Sequence, residues 1–175
     1  MQRLFFALWP PLELSRKLFR LGGNVLKGGA GRHVVAENIH LTLAFLGSVN
    51  ATFRECAELS ASNVQVDAFS LDLEWLGCWP KSGILWVGPE LTPKALWQLV
   101  QQLNAGLAGC GHEAEKRPYA AHLTLARNAR PCLPARVIDA HRWEIDRFCL
   151  VQSHTLREGA RYEILREWKL IKPTT

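Results

Sequence analysis

Apolar residues along this chain fall into short runs and short alternations, interrupted by a few stretches of helical spacing. The segment from Arg3 to Trp9 is apolar and aromatic and is stopped by Pro10-Pro11, which predicts a strand. Leu14, Leu18 and Leu21 then recur at helical spacing, and Gly22-Gly23 close that helix. A second helix is predicted over 51–60, where Thr52 and Glu55 stand in capping-box spacing and Phe53, Cys56 and Leu59 share a face. Thr92-Pro93 opens a third, with Leu96, Leu99, Val100, Leu103 and Leu107 as its buried stripe and Gly109 and Gly111 at its end. Phe69, Leu71, Leu73 and Trp75 alternate with Ser70, Asp72 and Glu74, the period of a strand with one wet face. Ile84 to Val87 follows as a strand after the turn Trp79 to Gly83, and 144–153 and 162–171 read as two more. Trp75 and Trp86 sit in apolar strand patterns and read as core. Alternating strands with helices between them give an α+β class, with antiparallel sheet and helices packed on one face. No linker divides the chain, so residues 1–175 are expected to act as one domain.

The pentapeptide His40-Leu41-Thr42-Leu43-Ala44 recurs letter for letter as His122-Leu123-Thr124-Leu125-Ala126. Six histidines and seven threonines in 175 residues predict only about 0.24 H-x-T triplets by chance, so duplication or a shared structural demand is required. In a strand, His and Thr two residues apart project from one face about 6 to 7 Å apart, while the leucines enter the core behind them. Two such strands across a cleft present two imidazoles and two hydroxyls to one phosphate. An imidazole titrates near 6.5, so one ring can accept a proton while the other donates one, which is what in-line phosphodiester cleavage needs. The threonines would hold non-bridging oxygens, and Arg127 would add a bidentate contact if its strand ends or bulges before it. His33, His112, His141 and His154 lack an H-x-T partner and read as surface or packing residues. No close Cys/His pair or H-x-x-x-H spacing accompanies the motifs, so no metal site is expected.

Charge sharpens the reading. Residues 1–115 carry 9 basic and 10 acidic side chains, residues 116–175 carry 12 and 6, and Arg outnumbers Lys 14 to 7. A guanidinium-rich last third suits a phosphate-bearing partner. Five cysteines without a C-x-x-C pair read as small buried residues in a reducing compartment, with neither disulfides nor a thiolate cluster expected. The longest apolar run, Leu4 to Trp9, has six residues, so a membrane span and a signal peptide are not expected and a cytoplasmic location is. Gly28-Gly29-Ala30-Gly31-Arg32 has phosphate-loop composition but no G-K-S/T, which excludes a P-loop and leaves a rim loop.

At these motifs the sequence resembles the 2H phosphoesterase superfamily, and within it the bacterial and archaeal RNA 2′,3′-cyclic phosphodiesterases, also called 2′-5′ RNA ligases. Arg3 to Ala7 resembles the family's opening strand, Asn38 to Gly47 its first motif with trailing F-L-G, and Ala121 to Arg127 its second with trailing Arg. Tyr162, Leu165 and Trp168 fit its closing Y-x-x-L-x-x-W. Ala121 departs from the proline common before the second histidine. The resemblance implies two pseudo-symmetric lobes of antiparallel sheet with helices outside and a central V-shaped groove, each lobe bringing one motif. It implies no cofactor and no metal, His40 as proton donor to the leaving O3′, His122 as acceptor from water, and Thr42, Thr124 and Arg127 as phosphate ligands. The expected activity is hydrolysis of RNA 3′-terminal 2′,3′-cyclic phosphate to a 2′-phosphate. With a 5′-hydroxyl in place of water, the same transfers give ATP-independent, reversible 2′-5′ ligation. Phe45, Arg117 and Tyr119 are candidate nucleotide contacts through stacking and charge, or packing residues. Expected partners are RNA 3′ ends or nucleotides bearing a cyclic phosphate, with no obligate protein partner. The competing readings are a binding module with little turnover, and the same chemistry on a small cyclic nucleotide.

Overall fold

In the computed structural model, residues 1–27, 29–156 and 159–172 are described. The strands are β1 Gln2–Leu8, β2 Ala30–His33, β3 Leu41–Val49, β4 Phe69–Trp79, β5 Ile84–Gly88, β6 Leu123–Arg130, β7 Arg136–Ile145, β8 Arg147–Leu156 and β9 Gly159–Lys169. The helices are α1 Leu12–Val25, α2 Ala51–Ser62 and α3 Lys94–Gly109. The strands form one sheet in the order β7-β4-β5-β6-β3-β1-β8-β9, and β2 adds to β6. Every ladder between them is antiparallel. Along that order, β2 aside, four strands lie on each side of the β6/β3 junction, and that junction is a single backbone pair, Leu41 with Leu123, at the same position of the two motifs. The two pseudo-symmetric lobes are therefore halves of one curved sheet.

Strand β1 shows why an unbroken apolar run need not be a helix. Leu4, Phe6 and Leu8 enter the main core, while Phe5 and Ala7 point to the other face into a smaller cluster with Cys149 and Val151. Both faces are covered, so alternation of polarity disappears. The main core lies between the sheet and the helices, where all five residues of the α3 stripe are buried as the spacing predicts. In α1, Leu18 is buried and Gly22 lies against the Cβ of Leu125, bringing the helix down onto β6.

Several local expectations change. Helix α2 is capped by Asn50, whose side chain accepts from the Phe53 amide at 2.8 Å, and not by a Thr52/Glu55 box. Ala57 and Ala61 become its buried residues and Leu59 is 68% exposed. The stretch 144–153 is split at Asp146 into the ends of β7 and β8. Strands β7 and β9 are the two edges of the sheet; their charged, largely exposed residues protect free edges and hide β7 from a search for buried periodicity. Ala30 to His33 pairs with β6, so the glycine-rich segment is a strand there; Gly28 lies outside the described residues. The cysteines also depart from expectation. Cys56 joins Cys110 and Cys78 joins Cys132 in disulfides, with Cα atoms 5.9 and 5.4 Å apart, and Cys149 alone is a free buried thiol. Each pair is 54 residues apart in sequence, so only tertiary proximity reveals it.

Candidate active site

Each motif strand carries the same irregularity. In β3, Thr42 pairs with Ala7 and Ala44 with Phe6, leaving Leu43 as an extra residue; in β6, Thr124 pairs with Trp86 and Ala126 with Leu85, leaving Leu125 extra. A bulge resets which side chains face the groove. Leu43 and Ala44, like Leu125 and Ala126, are consecutively buried, and the next residues, Phe45 and Arg127, emerge. Arg127 thereby reaches the groove despite its odd spacing from Thr124, as the sequence required.

His40, Thr42, His122, Thr124 and Arg127 line one open cavity of about 410 Å³ at the junction of the two halves. The imidazoles are oriented in the same way. His40 Nδ1 donates to the Asn38 carbonyl at 2.7 Å, and His122 Nδ1 donates to the Ala120 carbonyl at 2.8 Å. A carbonyl oxygen only accepts, so Nδ1 carries the hydrogen in both rings and Nε2 is left to exchange protons. The carbonyl two residues before each histidine thus selects the tautomer.

The surroundings of the rings differ. Trp9 stacks on His40 at 5.0 Å with planes 7° apart, while Phe5 and Tyr162 approach at 4.9 and 5.1 Å. This aromatic enclosure desolvates the ring, and with the nearby Arg127 and His122 it lowers the His40 pKa to about 4, against the opposing pull of the Asn38 carbonyl. His122 has one aromatic neighbour, Trp79, edge-on at 4.6 Å. Its pKa is also held below the ordinary imidazole value, by burial and by Arg127. Trp79 is itself braced by Trp86 at 5.5 Å, and the Trp86 ring occupies the space that a Cβ on its cross-strand partner Gly77 would fill. Trp75 and Trp86 are half-buried and not wholly internal.

The three candidate nucleotide contacts fall elsewhere. Phe45 is 42% exposed, has the Arg3 guanidinium 5.0 Å from its ring centre, and does not line the cavity. Tyr119 is packed against the core and its hydroxyl donates to the Thr42 carbonyl at 3.1 Å, a brace for the first motif; burial pushes its pKa up. Arg117 has an 84% exposed side chain paired with Glu115 at 3.2 Å, away from the cavity. The cavity wall instead includes Arg32, His33, Asn38, Arg161 and Tyr162. His33 is more than a packing residue, since it lines this wall while its buried Nδ1 has no partner. Trp9 and Trp79 were legible only as strand-end aromatics, and no sequence period marks Arg32 or Arg161.

Comparison with known proteins agrees with this architecture. Residues 29–157 match the family model described as the 2′-5′ RNA ligase superfamily. The RNA 2′,3′-cyclic phosphodiesterase of Escherichia coli (strain K12) is 34% identical over 171 residues, covering 97% of each chain. The Methanocaldococcus jannaschii protein of the same name is 24% identical, over 95% of this chain and 99% of that one. The crystal structure of E. coli LigT complexed with 3′-AMP superposes with a TM-score of 0.88 at 34% identity, over 97% of this chain and 98% of that one. With its twin motifs in matching bulged strands and its match to these relatives along nearly the whole length, the chain belongs to the 2′-5′ RNA ligase superfamily.

Proposed function

We propose that this protein hydrolyses 2′,3′-cyclic phosphate at RNA 3′ ends to a 2′-phosphomonoester, with residues 1–175 acting as one unit and each half supplying one acid-base group. The observation that carries the reading is the pair of identically oriented imidazoles, each with Nδ1 committed to a carbonyl, on one cavity with two threonines and an arginine. His122 Nε2 takes a proton from water as the water oxygen bonds to phosphorus. The P–O3′ bond breaks, and His40 Nε2–H gives its proton to O3′. Thr42, Thr124 and Arg127 hold the non-bridging oxygens, where negative charge resides in the transition state. His40 holds a proton poorly in the empty cavity. The bound phosphate anion restores it, and a reluctant imidazolium is a strong proton donor. No step passes through a metal. When a 5′-hydroxyl takes the place of water, the same transfers join two ends through a 2′-5′ bond.

Names of relatives also support the reading, since eight of them are called RNA 2′,3′-cyclic phosphodiesterase. The test is to incubate the protein with adenosine 2′,3′-cyclic phosphate and EDTA and follow phosphorus NMR. Appearance of the 2′-monophosphate alone is expected. A 3′-monophosphate would reverse the leaving group, and binding without product would make the protein a nucleotide-binding module.

A further inference from the structure

The last residues of β4 are held from one side only. Strand β7 pairs with β4 as far as Leu76, opposite Arg136, whereas Gly77, Cys78 and Trp79 pair only with β5, opposite Trp86, Leu85 and Ile84. Consecutive strand side chains face opposite ways. Cys78 packs against the main core, and Trp79 turns to the other face, where its ring meets His122 at 4.6 Å. The missing neighbour of this strand tip is supplied by the disulfide to Cys132. Cys132 lies in the connection 131–135 between β6 and β7, in which no backbone hydrogen bond is found among the described residues. Pro131, Leu133, Pro134 and Ala135 are exposed and Cys132 alone is half-buried, so it anchors the connection. Strand β5 separates β4 from β6, and the bond is therefore a strap across β5. It ties the Trp79 end of β4 to the chain leaving β6, the strand that His122 leads into.

We propose that Cys78 and Cys132 are a thiol–disulfide modification site whose closed bond is the active state, because it seats Trp79 against His122. The inference adds regulation to the phosphodiesterase reading above and rests on it. A dithiol reductant opens the bond. One of its thiolates attacks the Cys132 sulfur, Cys78 leaves as a thiolate and takes a proton, and the reductant's second thiolate then displaces Cys132 as it closes its own disulfide. Two electrons pass to the cysteine pair and its two sulfurs end protonated. Glutathione disulfide runs the exchange backwards. Cys149 takes no part, since it is buried and its thiol is pushed up to about 12. A bonded sulfur pair takes less room than two thiols in contact, so reduction drives the two segments apart, and no ladder on the β7 side of Trp79 opposes the shift. The second disulfide, Cys56–Cys110, joins α2 to the residue after α3, where the Ser60 hydroxyl also donates to the Gly106 carbonyl.

The experiment uses the full chain carrying Cys56→Ser and Cys110→Ser, so that only the proposed pair exchanges. It is equilibrated with glutathione disulfide or with dithiothreitol, and thiols are counted by iodoacetamide alkylation and mass spectrometry. In each state kcat/KM on adenosine 2′,3′-cyclic phosphate and the imidazole NMR resonance of His122 are measured. The oxidised form is expected to lose two alkylatable thiols, to turn over faster by on the order of tenfold, and to show a displaced His122 resonance. The unsubstituted chain gives the same contrast. Cys78→Ser with Cys132→Ser gives the slow rate whichever reagent is used. Failure of the bond to form, rates within about twofold of each other, or a response that survives in Cys78→Ser with Cys132→Ser overturns the modification site. Hydrolysis in neither state overturns the phosphodiesterase reading: the site stands if the His122 resonance still moves between the states and falls with it if the resonance does not.

Discussion

Trp9→Ala tests the cause of the His40 titration. A ring held at about 4 against an ordinary 6.5 is biased toward its neutral form by about 3.4 kcal/mol, at 1.36 kcal/mol per pH unit. Trp9 is one of three aromatic rings around it and the one stacked on its face. Arg127 and His122 carry part of that bias, so opening the face that Trp9 covers returns at most about 1 kcal/mol and raises the His40 pKa by less than about one pH unit. The assay is a heteronuclear NMR titration of imidazole-labelled protein, with His40→Gln and His122→Gln assigning the two site resonances. The same bias acts on stability. Above 6.5 both folded and unfolded His40 are neutral and the contribution is whole. As pH falls from 6.5 towards 4 the unfolded ring takes up a proton that the folded one refuses, and stability is lost. Between pH 7 and 5 the loss amounts to about 2 kcal/mol, and urea unfolding of His40→Gln lacks it. A wild-type His40 titrating above 6, or one unmoved by Trp9→Ala, would refute the claim that aromatic desolvation sets its proton affinity.

Three further outcomes follow from the site. Replacing His40 or His122 by Asn lowers kcat on a 2′,3′-cyclic nucleotide by about 10² to 10⁴-fold with an unaltered circular dichroism spectrum; near-wild-type turnover would remove that residue from the mechanism. Because both rings titrate below 6.5 in the free protein, the bell in kcat/KM lies on the acid side of neutrality, whereas the bell in kcat lies higher because bound phosphate favours the imidazolium; coincident bells would contradict this. Gly77→Val drives Trp86 off β4 and with it Trp79 from His122, so tryptophan emission changes and turnover falls while urea unfolding remains cooperative; full activity would show that Trp79 does not position His122.

The grouping of the candidate site residues was legible in the sequence because both motifs lie on strands. A letter-for-letter repeat located both histidines and both threonines, and the spacing of Arg127 announced a bulge that the β5–β6 register contains. The α3 stripe was equally readable, since five leucine and valine positions at one period leave a single way to bury them. What escaped depends on contacts between segments far apart. The disulfides, the Tyr119 brace on β3 and the Trp9 stack on His40 have no local signature. Nor does the tautomer lock, because it is made by backbone carbonyls, those of Asn38 and Ala120, which any side chain could accompany. Arg117 is the opposite case: basic and close to a motif, it pairs with Glu115 on the surface and does not line the cavity.

The equivalent bulges at Leu43 and Leu125 place Phe45 and Arg127 at the same address in the two halves. A duplicated frame with identical occupants would make the two halves interchangeable. Phe45 packs under the Arg3 guanidinium outside the cavity while Arg127 enters it, so the scaffold's twofold likeness is broken here as it is around the two imidazoles. The two imidazoles therefore sit on one cavity in unlike company, and the halves are not interchangeable despite their shared frame.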